Sequence, residues 1–258
     1  MSTPYVLVDR SGPTARVTLD RPDRRNPLSL EMMREATAAI RDLGRDPTCG
    51  VVVLTGSGPA LPAGDEIGEM IDRTLEQERE VFDTCVDLME SIQAIRQPVI
   101  AEVQGHAIAA GCQLVATCDL AVAVDSARFG TPGVKIGLFC STPMVAVSRS
   151  IGRKRALQML LTGETIDAAT AVEWGLVNEA VPADRLRARV DELAARIADA
   201  SPLTLEIGKQ AFYRQIDLPQ DAAYREMAET MATNAVTCDA QEGMTAFLEK
   251  RAPQWQGK

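Results

Sequence analysis

Apolar and polar positions alternate from Tyr5 to Arg10 and again from Ala15 to Asp20, which predicts two strands joined by a turn at Ser11-Gly12-Pro13. From Ser29 to about Arg45 the spacing changes. Met32, Met33, Ala36, Ala39, Ile40 and Leu43 recur at helical intervals, with Ser29 placed to cap the helix start. Val51-Val52-Val53-Leu54 is wholly apolar and runs into Thr55-Gly56-Ser57-Gly58, the pattern of a strand buried on both faces. After an irregular loop the pattern predicts a mostly helical stretch from Ile67 to Ile95. Pro98 to Val103 and Leu120 to Val124 repeat the apolar strand, and a short helix is expected over Ala109 to Thr117 between them.

This succession of strand, glycine-containing turn and helix predicts an α/β core with parallel strands. Beyond about Asp184 the strand signal stops, and 185–200, 202–215, 220–236 and 239–251 read as amphipathic helices. The chain therefore divides into an α/β body, residues 1–184, and a helical C-terminal region, residues 185–258. Helices of this kind cannot form a core alone, so the region is expected to pack on the body or on another subunit.

Charge narrows the choice of partner. The 258 residues include 36 acidic and 27 basic ones, a net charge of -9, which weighs against a nucleic-acid or anionic-membrane surface. An anionic ligand would need a local cluster of Lys and Arg. No apolar run reaches the roughly 18 residues of a membrane span, and the start of the chain shows no secretory leader pattern. The 6 cysteines are scattered without a CxxC pair, and the single histidine, His106, leaves no metal-binding set. Reduced, mostly buried thiols and a cytoplasmic location are the expectation.

Separated segments carry a resemblance. Leu19-Asp20-Arg21-Pro22 with Arg25-Asn26-Pro27-Leu28-Ser29, then 61–70 (LPAGDEIGEM), then Pro98 through Gly105-His106-Ala107-Ile108-Ala109-Ala110-Gly111-Cys112-Gln113 to Asp119, follow one another at consistent spacing. Leu161-Thr162-Gly163-Glu164, Gly175-Leu176-Val177-Asn178 and 242–251 (EGMTAFLEKR) continue the series. Together they resemble the crotonase (enoyl-CoA hydratase/isomerase) superfamily over nearly the whole chain. The stretch 129–143 resembles more narrowly its enoyl-CoA hydratase domain-containing protein 3 branch, which has mitochondrial and bacterial members. The resemblance implies a crotonase-like spiral of ββα turns with a C-terminal helical trimerisation region, assembled as a homotrimer or a dimer of trimers. It also implies an acyl-CoA thioester as ligand, with coenzyme A entering as part of the substrate and no separate cofactor.

Carried over position by position, the resemblance places an oxyanion hole at the backbone N–H groups of Asp65 and Ala110. Such donors stabilise the enolate-like charge that develops on a thioester oxygen. Ala110 stands where the family has glycine, with less backbone freedom but the same N–H. The two catalytic glutamates of the hydratases fall on Gln113 and Gly133. Neither can transfer a proton, and each lost acid or base typically costs about 10²- to 10⁴-fold. The Gln113→Glu, Gly133→Glu double variant is therefore the test of whether the scaffold can be made to hydrate. Asp65 and Glu66 are candidate replacement bases; the alternative role for Asp65 is a helix cap, with Glu66 and Glu69 in the first turn that follows. Cys140 and Ser141 are further candidates, with Lys135 as a cationic partner for the thiol; simple burial is the competing role of Cys140.

For the CoA moiety, the resemblance implies contacts from Arg24, Arg25, Ala63, Gly64 and Ile67. It adds Phe247 and Lys250 from a neighbouring subunit; taken alone, core packing is the stronger reading of Phe247 and a solvated face that of Lys250. Three readings stay open: an enzyme working through enolate stabilisation, a non-catalytic acyl-CoA binder or regulatory subunit, and a CoA-thioester hydrolase or decarboxylase.

Overall fold

The computed structural model describes residues 4–258; the first three positions of the leader reading lie outside them. In chain order the elements are β1 (Val6–Ser11), β2 (Thr14–Leu19), α1 (Leu30–Arg45), β3 (Val51–Gly56), α2 (Leu75–Ala94), β4 (Val99–Val103), β5 (His106–Ile108), α3 (Ala110–Thr117) and β6 (Leu120–Val124). They continue as β7 (Arg128–Gly130), α4 (Ser141–Ile151), α5 (Arg153–Thr162), β8 (Thr165–Asp167), α6 (Ala168–Trp174) and β9 (Glu179–Val181). The chain ends in α7 (Leu186–Ala198), α8 (Pro202–Gln215), α9 (Gln220–Ala235) and α10 (Cys238–Glu249).

β1 and β2 pair antiparallel, and from β2 onward the main sheet is parallel in the order β1-β2-β3-β4-β6-β9. A second sheet, β5-β7-β8, runs beside it. Each buried strand of the later turns is followed by a three-residue strand of the small sheet and then by a helix, as in β4-β5-α3. That repeating step is the spiral the resemblance implied. Val51, Val52 and Val53 are fully buried, as befits a strand covered on both faces.

The helix expected over 67–95 is shorter. Residues 67–69 form a 3₁₀ turn, and α2 begins only at Leu75, where Thr74 and Gln77 make a reciprocal capping box. That pair of hydrogen bonds satisfies the helix end at this point and fixes its start.

Two buried charge clusters fasten the C-terminal helices to the sheet. Arg16 on β2 donates to Glu102 (2.7 Å) and to Asp191 of α7 (2.6 Å). Lys209 of α8 lies 2.8 Å from Asp119 and donates to the carbonyls of Ile92 and Gln97. Tyr213 Oη donates to the other Asp119 oxygen at 2.7 Å. Leu186, Val190 and Ala194 of α7 join the common hydrophobic core.

Candidate functional site

The site is built where three segments are pressed together. A Cβ added at Gly111, in the first turn of α3, would lie 2.0 Å from the Pro62 carbonyl oxygen. Glycine is therefore what lets α3 start directly on the 61–65 loop. That loop is clamped from both sides. The Ala63 N–H donates to Arg25 O (3.0 Å) and the Leu28 N–H to Gly64 O (2.9 Å), while the Ile108 N–H reaches Pro62 O (3.3 Å). Asn26, fully buried, holds the turn below it: its Oδ1 accepts from the Arg21 N–H, and its Nδ2 donates to the carbonyls of Ser57 and Ala60.

This clamping leaves two donors over. Among the described residues, neither the N–H of Asp65 nor that of Ala110 donates to the backbone of another residue; the Asp65 N–H faces its own carboxylate. Ala110 is the first residue of α3, where a helix has N–H groups without internal partners. The cost of a missing glycine was expected at Ala110, but the structure moves it one residue back. Ala109, the N-cap, sits at φ 49° and ψ -115°, a conformation costly for any residue with a Cβ. Its N–H is tied to Gly130 O at 2.8 Å, which holds it there.

Asp65, Ala109 and Gly133 share one apolar cavity of about 680 Å³. Ala63, Gly64 and Ile67 line one wall, Phe82 of α2 contributes from another element, and 138–143 face them from the start of α4. Among the described residues, Asp65 is the only carboxylate in the lining and Lys135 the only cation. Burial raises the Asp65 carboxyl to about 6, and its own backbone N–H offsets part of that.

The other candidates separate clearly. Gln113 is buried at 4% exposure and does not line the cavity; its Oε1 accepts from the Cys85 thiol at 3.8 Å. Gly133 does line it, but the position is closed. An added Cβ would meet Leu138 O at 2.0 Å and Cys140 Sγ at 2.8 Å. A glutamate placed at Gly133 would thus meet backbone rather than open space.

Glu66 turns away from the cavity to the arginines, 3.0 Å from Arg24 and 3.8 Å from Arg21. Its expected work as a base is corrected accordingly, and so is the capping scheme. Glu66, not Asp65, occupies the N-cap of the 3₁₀ turn and makes no side-chain cap bond; Glu69 does stand in its first turn, as expected, and also accepts from the Leu30 N–H at the start of α1.

The Cys140 thiol is buried, and burial pushes it above its ordinary value, with the nearby Asp65 charge adding to this. A nucleophilic thiolate supported by Lys135 is therefore not what the geometry offers. Ser141 Oγ donates to Phe139 O at 3.3 Å, and His106 is not part of the lining, so no serine–histidine pair forms. Arg24 and Arg25 are exposed beside the 61–65 loop. Phe247 and Lys250 stand exposed on and just after α10, with Phe247 at 81%, which overturns core packing for the phenyl ring.

Residues 9–258 match the family model described as enoyl-CoA hydratase/isomerase. The mitochondrial enoyl-CoA hydratase domain-containing protein 3 of Xenopus laevis is 41% identical over 254 residues, covering 98% of this chain and 86% of that protein. The solved structure of an enoyl-CoA hydratase from Mycobacterium smegmatis superposes with a TM-score of 0.96 at 43% identity, covering 98% of this chain and 99% of that one. The human enoyl-CoA hydratase domain-containing protein 3 structure gives 0.95 at 39%, covering 97% and 100%. These relatives correct the cytoplasmic expectation, because the frog protein and its zebrafish, mouse and human counterparts are all named mitochondrial. Its basis was too coarse: buried reduced thiols fit any reducing compartment.

Proposed function

This chain belongs to the enoyl-CoA hydratase/isomerase family, and from that premise we propose that it binds an acyl-CoA thioester and polarises its carbonyl with the N–H groups of Asp65 and Ala110. The observation that carries the reading is this pair of N–H groups without a backbone acceptor on another residue, Asp65's on the wall of an apolar cavity and Ala110's next to Ala109, which also lines it. Preorganised backbone donors in a site poor in water favour the enolate over the ground state. Coenzyme A arrives as part of the substrate. Arg25 and Arg24 serve its phosphates, although Arg24 must share its charge with Glu66. Phe247 and Lys250, exposed in a single chain, close over the nucleotide of a neighbouring copy in a trimer or a pair of trimers.

Hydration is not its efficient reaction, because it needs one group to activate water and another to protonate carbon. Gln113 can do neither, and Gly133 has no side chain. Those same two substitutions favour a second reading, a binder without turnover, which steady-state assays on crotonyl-CoA and other thioesters separate from the first.

The test compares a thioester with its carbonyl-free thioether, propionyl-CoA against S-propyl-CoA, by calorimetry on the intact protein. Two net hydrogen bonds of about 0.5–1.5 kcal/mol each predict a preference for the thioester of roughly 5- to 150-fold. Equal affinities would mean that the hole is not used.

A further inference from the structure

We infer that the side chain of Asp65 is the catalytic base, removing a proton from the α-carbon of the bound acyl group. This rests on the thioester reading above and extends it to a reaction class, enolisation of an acyl-CoA. Geometry makes the case first. Among the described residues, Asp65 supplies the only carboxylate in the cavity wall, and its own N–H is one of the two donors for the thioester oxygen. A carbonyl held by that N–H puts the adjacent α-carbon next to the same residue's side chain. The alternatives are accounted for: Glu66 is held by Arg21 and Arg24, Gln113 is turned to Cys85, and Gly133 is closed off by Leu138 O.

Electrostatics fits this placement. A carboxylate beside a developing oxyanion looks unfavourable, since two anions would share an apolar pocket. Proton transfer removes the conflict. The α C–H bond breaks, its electron pair forms the C=C of the enolate, and the carbonyl π pair moves onto the oxygen held by the two N–H groups. The proton goes to Asp65, which becomes neutral as the oxygen becomes negative. One negative charge is present throughout. If the Asp65 carboxyl first trades its proton with solvent, returning a solvent proton to the α-carbon gives exchange, and delivering the proton to the γ-carbon of a 3-enoyl chain gives a double-bond shift; neither needs a co-reactant beyond water. Burial of the carboxyl, which brings it to about 6, makes it a stronger proton acceptor than an exposed aspartate.

The ionisable groups around it are Cys85 of α2, Cys140 before α4 and Lys135 in the same lining. Burial raises both thiols, leaving them protonated at neutral pH, and Cys85 is pushed up to about 12.

The experiment follows loss of the α-CH₂ proton signal of butyryl-CoA in D₂O by NMR, with binding measured in parallel by calorimetry. The wild type is expected to exchange the α-protons, with a rate that rises with pH through about 6 and then levels. Asp65→Asn is expected to bind butyryl-CoA yet exchange at least about 10²-fold more slowly. Exchange that persists in Asp65→Asn overturns the inference. A wild type that binds the thioester without exchanging overturns it while leaving the binding reading in place. A wild type that does not bind butyryl-CoA overturns both.

Discussion

Replacing Gly133 by alanine probes the packing that separates this site from a two-glutamate hydratase. The added Cβ would sit 2.0 Å from Leu138 O, whereas carbon–oxygen contacts are comfortable only at about 3.3 Å and beyond. The obstacle is backbone, so the 133–138 turn must open by more than an ångström. That motion breaks the hydrogen bond from the Leu138 N–H to Gly133 O, now 3.0 Å. Overpacking costs about 1–3 kcal/mol and the lost hydrogen bond about 1, so a destabilisation of about 2–4 kcal/mol is expected. At roughly 2–4 °C per kcal/mol for a chain of this size, Tm falls by about 5–15 °C. Urea denaturation at fixed protein concentration measures it, with an unchanged m-value showing that the folded state survives. Gly208→Ala in α8 serves as the comparison. There the added Cβ meets nothing within 4 Å, and helix propensity predicts a gain of up to about 1 kcal/mol. If Gly133→Ala lands within about 0.5 kcal/mol of the wild type, the position is not closed. Backbone packing would then not be what excludes a second glutamate.

Other substitutions test the remaining parts of the framework. Ala109→Gly relieves a backbone at φ 49° and should stabilise the protein by about 0.5–2 kcal/mol in the same urea assay; a loss would show that the strain is not there. Asp65 carries a pH dependence whose sign follows from its raised value. Between 3.8 and about 6 the folded state keeps a proton that the unfolded chain releases, so stability from this group is present below that window and lost as pH rises through it. Asp65→Asn should therefore match the wild type near pH 3.5 and exceed it by up to about 3 kcal/mol above pH 6.5, read from denaturation at each pH. Lys209→Met leaves the half-buried Asp119 carboxylate with only the Tyr213 hydroxyl and the Val99 N–H, and should cost about 1.5–3 kcal/mol, detectable by calorimetry; a neutral result would mean the cluster is not needed to hold α8.

The elements that the pattern located were those whose signal is long and local. The helix from Leu30 follows directly from Met32, Met33, Ala36, Ile40 and Leu43, all of which are buried, and from Ser29, whose side chain accepts from the Met32 N–H. The all-apolar strands were equally plain. The small sheet was not legible, because β5, β7 and β8 have three residues each and their pairing is set by long-range contact rather than by periodicity. The site divides in the same way. Gly111 and Asn26 were visible within motifs, but their work, close approach to Pro62 and bonding to Ser57 and Ala60, depends on segments brought together only by folding. The arginine pairing of Glu66, the burial of the Asp65 carboxyl and the strain at Ala109 likewise arise from neighbours distant in sequence.

These features act together on the reaction that the cavity can support. A hydratase needs two proton-transfer groups around one water, and each requires its own space. In this chain the 133–138 turn occupies one such space with backbone, and Gln113 has turned toward Cys85. The remaining carboxylate has been placed on the residue whose N–H is proposed as an oxyanion donor. A single group so placed can carry a proton from one carbon to another, but it cannot activate water and protonate carbon in one step. The strained Ala109 and the close contact at Gly111 serve to hold α3 against the 61–65 loop, and hence to aim the Ala110 N–H. Keeping that costly geometry makes physical sense only if the donors grip something. The constant charge of an enolisation, one anion moving from Asp65 to the thioester oxygen, is the load this geometry fits.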